Sequence, residues 1–185
     1  MSKKIPVEFI ENFLVVWEPS EGSELYKMGF YGKPLGIPKP KIPEFNVPLI
    51  LDLMEGLYLA EKDMIMIYEG KEKRKIGLKE LRQKARKLYE EFDDKYAVYR
   101  DLRERGFIVT PGIKFGCDFA VYRYGPGLEH APYMVSVKRA DAEITATDIV
   151  KAGRLATTVR KRFIIAVTDS QRKDIKYLIF EWFKA

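Results

Sequence analysis

Apolar and polar positions along the first third of the chain predict a hairpin, a helix and a long loop. Val7–Ile10 and Phe13–Trp17 are apolar-rich runs separated by Glu11–Asn12, which is the spacing of a short β-hairpin. The polar start at Ser20 predicts a helix that runs to about Gly29. Four prolines in Gly32–Phe45 exclude a regular helix or a central strand there. This segment is therefore expected to be an extended, stiff and basic loop.

Helical periodicity dominates the middle of the chain. Pro48 to about Lys62 is predicted to be a buried helix, because leucines recur along it. Met64–Tyr68 is predicted to be a strand that leads into a turn at Glu69–Gly70. Leu78 to about Arg105 is strongly helical and highly charged, with a break predicted near Phe92–Asp94. That break is the expected boundary between two halves.

The second half has the pattern of an α/β unit. Thr145 and Asp148 have the spacing of a capping box, which predicts a helix from there to about Lys161. Five strands are predicted around it: Phe107–Val109, Phe119–Arg123, Tyr133–Val137, Phe163–Val167 and Ile175–Phe180. We therefore predict an α/β (α+β) protein with a small N-terminal α/β domain, residues 1–93, and a second, mixed-sheet domain, residues 94–185.

Composition places the chain among globular proteins. It is 46% hydrophobic and 13% aromatic, which is enough apolar material for a core. No apolar run approaches the length of a membrane span, and the first residues lack the uninterrupted apolar stretch of a secretory signal. Cys117 is the only cysteine, so we expect a reducing, cytoplasmic location and interpret Cys117 as a small core residue. The chain has few side-chain amides and many charged residues, a compositional bias that is seen in hyperthermophiles.

The positive charge is concentrated in the second half. Residues 95–185 contain 17 basic and 10 acidic residues, whereas the remaining 94 residues contain 16 and 17. A localised basic surface is the electrostatic footprint of a protein that binds a polyanion. Solvated charge without a partner is the alternative explanation.

The predicted helix after Thr145 has two faces. Lys151, Arg154 and Lys161 fall in one arc at helical spacing and form a basic stripe. The opposite arc is apolar and is expected to pack on the sheet: Ile149, Ala152, Leu155, Ala156 and Val159. Cations near the end of this helix could also simply complement the helix dipole.

His130 is the only histidine of the chain and follows a loop that contains Gly125, Pro126 and Gly127. Histidine is the side chain best suited to exchanging protons near neutral pH. RNA cleavage without metal needs a group that accepts the 2′-OH proton, a group that protonates the leaving 5′ oxygen, and a cation for the developing charge. Tyr122, His130 and Lys161 could fill these three places. A surface histidine without a role is the simpler alternative.

The amino-acid sequence of the second half contains motifs that are more specific than these residue types. Residues 106–135 include Tyr122-Arg-Tyr-Gly-Pro-Gly-Leu-Glu-His130-Ala-Pro, and Gly153-Arg-Leu-Ala-Thr-Thr-Val-Arg-Lys161 follows. Both stretches closely resemble the archaeal tRNA-splicing endonucleases. The resemblance covers the second domain closely and the first half more loosely. The Gly32–Phe45 loop and the sequence around His130 look most like those of the catalytic subunits of crenarchaea.

This resemblance implies roles for particular residues. Tyr122 would be the general base, His130 the general acid and Lys161 the cation that stabilises the transition state. Arg154 would match the arginine that helps clamp a bulged base. Where the family commonly has a histidine, this chain has Thr157, which leaves a substrate contact at that position open.

The resemblance also implies a reaction and an assembly. Members of this family cut precursor tRNA at both intron ends, at a bulge-helix-bulge, without metal or another cofactor. They leave a 2′,3′-cyclic phosphate and a 5′-OH. Their catalytic domain is restriction-endonuclease-like, and they form dimers or tetramers. We expect this chain to pair with a separate structural subunit in a heterotetramer, with a homotetramer as the alternative.

Two other functions remain to be weighed. A metal-dependent nuclease would need one acidic ligand and a second carboxylate two residues before a lysine. Asp118 could be the first ligand, but the residue two before Lys138 is Ser136. A non-catalytic RNA-binding subunit of the same complex is the second alternative. Such subunits usually lose members of the catalytic set, whereas Tyr122, His130 and Lys161 are all present here.

Overall fold

The structure, a computed structural model, describes residues 4–38, 40, 42–158, 161–169, 171–172 and 174–180. Contacts divide the chain into two compact units, Met1–Phe92 and Asp93–Ala185. Each unit contains one mixed β-sheet and α-helices. The predicted α/β (α+β) fold class is therefore confirmed.

The first unit is built on a six-stranded sheet. Its strands are β1 (Ile5–Ile10), β2 (Phe13–Val16), β3 (Lys33–Pro34), β4 (Leu49–Leu51), β5 (Ile65–Glu69) and β6 (Arg74–Lys75). They lie in the order β3-β4-β2-β1-β5-β6, and only β1 and β5 run parallel to each other. The predicted hairpin is confirmed as β1 and β2. The described part of the proline-rich segment contributes only the two-residue edge strand β3, which agrees with the rule that proline avoids central strands.

The predicted helix from Pro48 to about Lys62 is wrong at its start. The chain first forms strand β4, and only then helix α2 (Leu53–Glu61). The Asp52 side chain accepts a hydrogen bond from Glu55 N at 2.8 Å, and the Glu55 side chain accepts one from Asp52 N at 3.0 Å. This reciprocal capping box fixes the beginning of the helix after Asp52. The leucines before it are free to pair with β2.

Three further helices precede the second sheet along the chain: α1 (Pro19–Gly29), α3 (Leu78–Leu88) and α4 (Phe92–Glu104). The first two lie in the first unit, and α4 lies in the second unit except for its first residue. The predicted break in the long helical segment is present and lies slightly earlier than expected, at residues 89–91. Glu91 adopts a left-handed φ of 52°. A residue in that region cannot continue a right-handed helix.

The second unit is built on a five-stranded sheet. Its strands are β7 (Ile108–Pro111), β8 (Phe119–Tyr122), β9 (Tyr133–Arg139), β10 (Arg162–Asp169) and β11 (Asp174–Phe180). They lie in the order β11-β10-β9-β8-β7. β9 and β10 run parallel, and the other neighbours run antiparallel. All five predicted strands are thus confirmed.

Burial differs sharply between the last two strands. Residues Phe163–Ala166 of β10 are buried, as expected for a strand with neighbours on both sides. β11 lies at the edge of the sheet, and its residues Leu178 and Ile179 are 45% and 54% exposed. Among the described strands, β11 has a neighbour on one side only, and its apolar residues lie at this sheet edge.

Helix α5 (Ala146–Thr158) connects β9 to β10. The predicted capping box is confirmed: Thr145 N donates to the Asp148 carboxylate at 3.0 Å, and Asp148 N donates to Thr145 Oγ1 at 3.2 Å. The described part of the helix runs to Thr158, Val159 and Arg160 lie outside the described residues, and Lys161 is no longer helical. Lys161 instead lies directly before β10.

The predicted apolar face of α5 is wrong for Ile149, which is 55% exposed. The first turn of the helix is oriented by Asp148, whose carboxylate lies 3.4 Å from Lys138 Nζ on β9. This ion pair turns Asp148, and not Ile149, towards the sheet. Outside the described residues lie Val159 and the side chains of four other members of the two predicted faces: Lys151, Ala152, Leu155 and Ala156.

Of the helices that the structure describes, none combines the length and the hydropathy that a membrane span requires.

Candidate active site

Strand register brings the three predicted catalytic residues to one end of the second sheet. Tyr133, the first residue of β9, is paired with Val121 of β8 on one side and with Arg162 of β10 on the other. Tyr122 follows Val121, and Lys161 precedes Arg162. His130 lies just before β9. Because β8 ends where β9 and β10 begin, all three side chains start from the same edge of the sheet.

Lys161 is held by two contacts from different parts of the chain. Its Nζ donates a hydrogen bond to the carbonyl oxygen of Ala131, the residue after His130, at 3.0 Å. The same Nζ lies 4.5 Å from the centroid of the Phe115 ring, which is within cation–π range. Burial lowers the pKa of Lys161, while the Coulombic effect of Cys117 raises it. The ammonium group thus sits beside the histidine segment in partly desolvated surroundings.

Tyr122 is half-buried and packs against the core cluster that contains Ala131. Burial raises the pKa of its phenol, a hydrogen bond with the Thr110 side chain lowers that pKa, and the charge of Glu129 raises it. Thr110 Oγ1 lies 3.3 Å from the carbonyl oxygen of Ala120, to which it donates. A hydroxyl can rotate, so Thr110 could donate to a Tyr122 phenolate once the phenol has lost its proton.

The loop before His130 is closed by the side chain of Glu129. Glu129 Oε1 accepts hydrogen bonds from the backbone N–H groups of Arg123 and Tyr124, at 2.5 Å and 2.6 Å. Consecutive N–H groups that converge on one oxygen form an anion-binding concavity. Gly125, with a φ of 128°, permits the sharp turn between these residues. The exposed His130 is therefore presented from a loop whose two ends are tied together.

These hydrogen bonds also determine the charge of Glu129. The contacts from Tyr124, Arg123 and Gly125 N–H lower the pKa of its carboxyl group, with the Tyr124 bond having the largest effect. A lowered pKa means that the carboxylate supports the loop throughout the neutral range. That support is lost only as the pH falls through the lowered value.

Cys117 and Asp118 have structural contacts. Burial raises the pKa of the Cys117 thiol to about 11, which agrees with its interpretation as a core residue. The Asp118 carboxylate accepts a hydrogen bond from Val137 N at 2.8 Å and forms an ion pair with Lys95 Nζ at 3.1 Å. Both carboxylate oxygens are therefore engaged in joining β8, β9 and α4. In the part of the chain that the structure describes, no group of three or more His, Cys, Asp or Glu side chains could hold a metal ion.

Arg154 lies exposed on α5. Arg154 belongs to the helix and not to the strand ends, so the strand pairing that gathers the other three predicted residues does not position it. Its expected role in RNA binding remains a prediction.

Phe115, Glu129 and Thr110 contact the site, although the sequence analysis did not single them out. Phe115 and Glu129 fall within the stretch that resembles splicing endonucleases. A nearby glycine indicated a tight turn in each case. Gly116 follows Phe115, Gly125 lies in the loop that Glu129 closes, and both have a positive φ. Glycines at such positions indicate tight turns that fix a neighbouring side chain.

Comparison with known proteins identifies the family. Residues 5–82 match the N-terminal domain of the tRNA intron endonucleases, and residues 92–177 match their catalytic C-terminal domain. The tRNA-splicing endonuclease of Hyperthermus butylicus is 48% identical over 170 residues, which cover 92% of this chain and 93% of the relative. Those of Saccharolobus islandicus and Saccharolobus solfataricus are each 44% identical over 165 residues, covering 89% of this chain and 90% of the relative. The chain belongs to the tRNA intron endonuclease family, and the resemblance noted in the sequence is confirmed.

Replacing Glu129 should loosen the loop before His130. In Glu129→Ala, the amides of Arg123 and Tyr124 lose their acceptor and should exchange with solvent several-fold faster. Amide hydrogen exchange followed by NMR measures this directly. Glu143→Ala, which removes an exposed carboxylate outside this loop, serves as the control and should leave both amides unchanged. Equal exchange rates in Glu129→Ala and the unmodified chain would contradict the assigned role of Glu129.

Proposed function

We propose that this chain is the catalytic subunit of a tRNA-splicing endonuclease. It would cut precursor tRNA at intron boundaries within a bulge-helix-bulge and leave a 2′,3′-cyclic phosphate and a 5′-OH. The observation that carries the proposal is the strand register that starts Tyr122, His130 and Lys161 from one edge of the sheet. Membership of the tRNA intron endonuclease family supplies the substrate class.

In the proposed reaction, the 2′ oxygen of the ribose forms a bond to phosphorus while the bond from phosphorus to the 5′ oxygen breaks. Tyr122 accepts the 2′-OH proton. Its raised pKa makes the phenolate scarce in the free chain but strongly basic when formed. Thr110 is placed to stabilise that phenolate by turning its hydroxyl proton towards it. General-base catalysis depends on such matching of proton affinity and geometry.

His130 donates a proton to the departing 5′ oxygen. Its exposure suits this role because the scissile bond must reach it from solvent. Lys161 neutralises the charge that develops on the non-bridging phosphate oxygens. Its hydrogen bond to Ala131 links its position directly to the backbone next to His130.

A metal-dependent nuclease is the enzymatic alternative. Its metal would need Asp118, yet Asp118 already accepts from Val137 N and pairs with Lys95. Its second carboxylate would stand where the chain has Ser136. These observations favour acid-base catalysis by side chains, so we propose that the reaction requires neither a metal nor another cofactor.

A cleavage assay on a bulge-helix-bulge RNA tests this proposal. Polynucleotide kinase and ATP should phosphorylate the new 5′-OH end without prior phosphatase treatment. The new 3′ end should resist phosphatase until acid opens its cyclic phosphate. EDTA should not stop the reaction on an RNA whose fold is insensitive to metal. Loss of activity in EDTA with recovery in magnesium would instead favour the metal-dependent alternative.

Substitution of His130 completes that test. His130→Ala should slow the single-turnover rate by roughly 10²–10⁴-fold, the range for a lost general acid, with RNA affinity largely unchanged. A parallel fall in affinity and rate would make His130 a contact residue. An unmodified chain that binds this RNA but does not cut it, even with its partner present, would favour the non-catalytic subunit.

We further propose that Arg154 binds RNA rather than taking part in the chemistry. Arginine can stack on an unpaired base and also pair with phosphate, and Arg154 is exposed on α5 in the basic half of the chain. Its place in the family motif corresponds to an arginine that clamps a bulged base.

Salt dependence separates these two contributions of Arg154. Arg154→Ala should weaken binding to bulged RNA and reduce the salt slope of that binding by about one. Arg154→Lys is the matched variant, since it keeps the charge but loses the planar group. It should retain the slope while still binding more weakly. Unchanged affinity of Arg154→Ala across a salt series would contradict this role.

We propose that residues 94–185 form the catalytic nuclease domain, that residues 1–93 form the N-terminal domain, and that the reaction takes place in the cytoplasm.

We also propose that the active assembly contains a second kind of chain. β11 offers an exposed apolar edge, which favours pairing with another subunit. We propose a heterotetramer of two catalytic and two structural chains, in which the structural chain inserts an acidic loop into a basic cleft of this one. A homotetramer is the alternative.

The loop before β11 supports the heteromeric version. Within Thr168–Asp174 the carboxylate of Asp169 accepts hydrogen bonds from the backbone of Gln171 and Arg172 at 3.0 Å and 3.1 Å. It also lies 3.6 Å from Arg172 Nε. Its charge is thus satisfied locally, which makes this loop a poor acidic insert. Ser170 and Lys173 lie outside the described residues.

Purified chain without a partner should therefore be deficient in cleavage. Its native mass, measured by light scattering, should differ from that of an active tetramer, and adding the structural subunit should restore both assembly and activity. A homogeneous preparation that cuts RNA at full rate as a homotetramer would refute the heteromeric assembly.

A further inference from the structure

We propose that Phe115 is a positioning residue for Lys161, whose ammonium group it holds at the proposed active site together with the Ala131 carbonyl. The inference rests on the proposed function, because it assigns the setting of that site's cation. Phe115 would not touch the reacting atoms. It would act through the orientation and charge of Lys161.

Two contacts define the position of the ammonium group. Nζ lies 4.5 Å from the Phe115 ring centroid and 3.0 Å from the Ala131 carbonyl oxygen. One contact comes from the turn between β7 and β8, and the other from the segment before β9. An ammonium group has three N–H donors and the carbonyl uses one of them. Among the described residues, the Ala131 carbonyl is the one hydrogen-bond acceptor of Nζ, which leaves donors for phosphate oxygens.

The chemistry of the partners is as informative as the distances. Among the described residues, no carboxylate lies within ion-pair distance of Lys161. A carboxylate would orient the lysine but would also neutralise it and compete with a phosphate. A ring face attracts a cation through its quadrupole without carrying a net charge. Phe115 can therefore orient Lys161 and leave its full charge for the substrate.

The local backbone fixes the ring at this place. Ile113–Phe115 form a 3-10 turn in which Phe115 N donates to Gly112 O at 2.8 Å. Gly112 is required at the start of the turn, since a Cβ there would lie 2.6 Å from Cys117 Sγ. Gly116 ends it with a left-handed φ of 68°. The turn exposes Ile113 by 83% but Phe115 by only 37%, as expected if the ring covers the lysine.

The thiol of Cys117 does not stabilise the charged form of Lys161 in place of Phe115. Among the described residues, Cys117 is the titratable group whose ionised form would raise the pKa of Lys161. Burial raises the pKa of its thiol to about 11, so it is neutral at neutral pH. Burial also lowers the pKa of Lys161. Among the described residues, the Phe115 ring face and the Ala131 carbonyl are the contacts that favour the charged form.

Three variants of the full chain separate the ring face from simple apolar bulk. Phe115→Leu keeps Lys161 covered but removes the aromatic face, whereas Phe115→Tyr keeps that face. Ile113→Ala alters the exposed side chain of the same turn and is the matched control. Thermal unfolding of each variant verifies that it is folded. Where a partner subunit is needed for activity, the assembled complex is used.

The first measurement does not depend on RNA cleavage. Carbon-13 labelling of lysine Cε allows the Lys161 pKa to be followed by NMR, with Lys161→Arg assigning its signal by loss. Phe115→Leu should lower this pKa by about 0.4–1.5, the equivalent of a lost cation–π contact. Phe115→Tyr and Ile113→Ala should leave it unchanged. An unchanged value in Phe115→Leu would overturn the inference.

The second measurement is the single-turnover cleavage rate at saturating bulge-helix-bulge RNA. Phe115→Leu should be slower by roughly 2- to 30-fold, with affinity unchanged and with the rate restored in Phe115→Tyr. An equal loss in Leu and Tyr variants, or an unaltered rate in Phe115→Leu, would overturn the positioning role. If the unmodified protein cuts no RNA, the proposed function fails. The lysine titration would then still decide whether Phe115 holds the cation.

Discussion

The parallel pairing of β9 with β10 is the constraint on which the candidate site depends. In an antiparallel sheet, successive strand ends alternate between the two edges. Here the crossover through α5 returns the chain to the edge where β9 begins. Lys161 consequently enters the sheet beside the segment that contains His130, although thirty residues of chain separate the two. Without this one parallel pair, the cation would lie at the opposite edge from Tyr122.

The two titrating groups at this edge experience the same physical effect with opposite consequences. Burial raises the pKa of Tyr122 and lowers that of Lys161, because low polarity disfavours the charged form of each. A bound phosphodiester carries negative charge and would reverse that preference for the lysine. It would make the phenolate still harder to form. In the proposed reaction, the hydroxyl of Thr110 can offer the phenolate a neutral hydrogen-bond donor by turning away from the Ala120 carbonyl.

Much of this arrangement could be predicted from the sequence, and what could not has definite physical causes. The strands and their order of appearance follow from apolar periodicity, and His130 was identifiable because the chain has one histidine. Leu49–Leu51 could not be distinguished from the first turn of a helix, because alternating leucines fit either structure. The exposure of Ile149 depends on the ion pair between Lys138 and Asp148, which joins residues from different elements. Periodicity within one helix does not contain that information.

The neighbours of the catalytic candidates were missed for a related reason. Phe115 and Glu129 lie in short turns, and the direction of a side chain in such a turn depends on individual φ values and close approaches. The contact that Gly112 makes with Cys117 is an example. Sequence patterns indicate that a turn is present, but they do not specify which neighbouring side chain it presents to the lysine.

The burial of Cys117 has a practical consequence for experiments on this protein. The chain has one thiol, which is enclosed in the core and holds its proton well into the alkaline range. Thiol reagents attack the thiolate form and need access to it, so we expect Cys117 to react slowly with them in the native chain. A cysteine introduced at an exposed position could thus receive a fluorophore selectively, without prior removal of Cys117. Slow labelling of Cys117 itself would report on opening of the core.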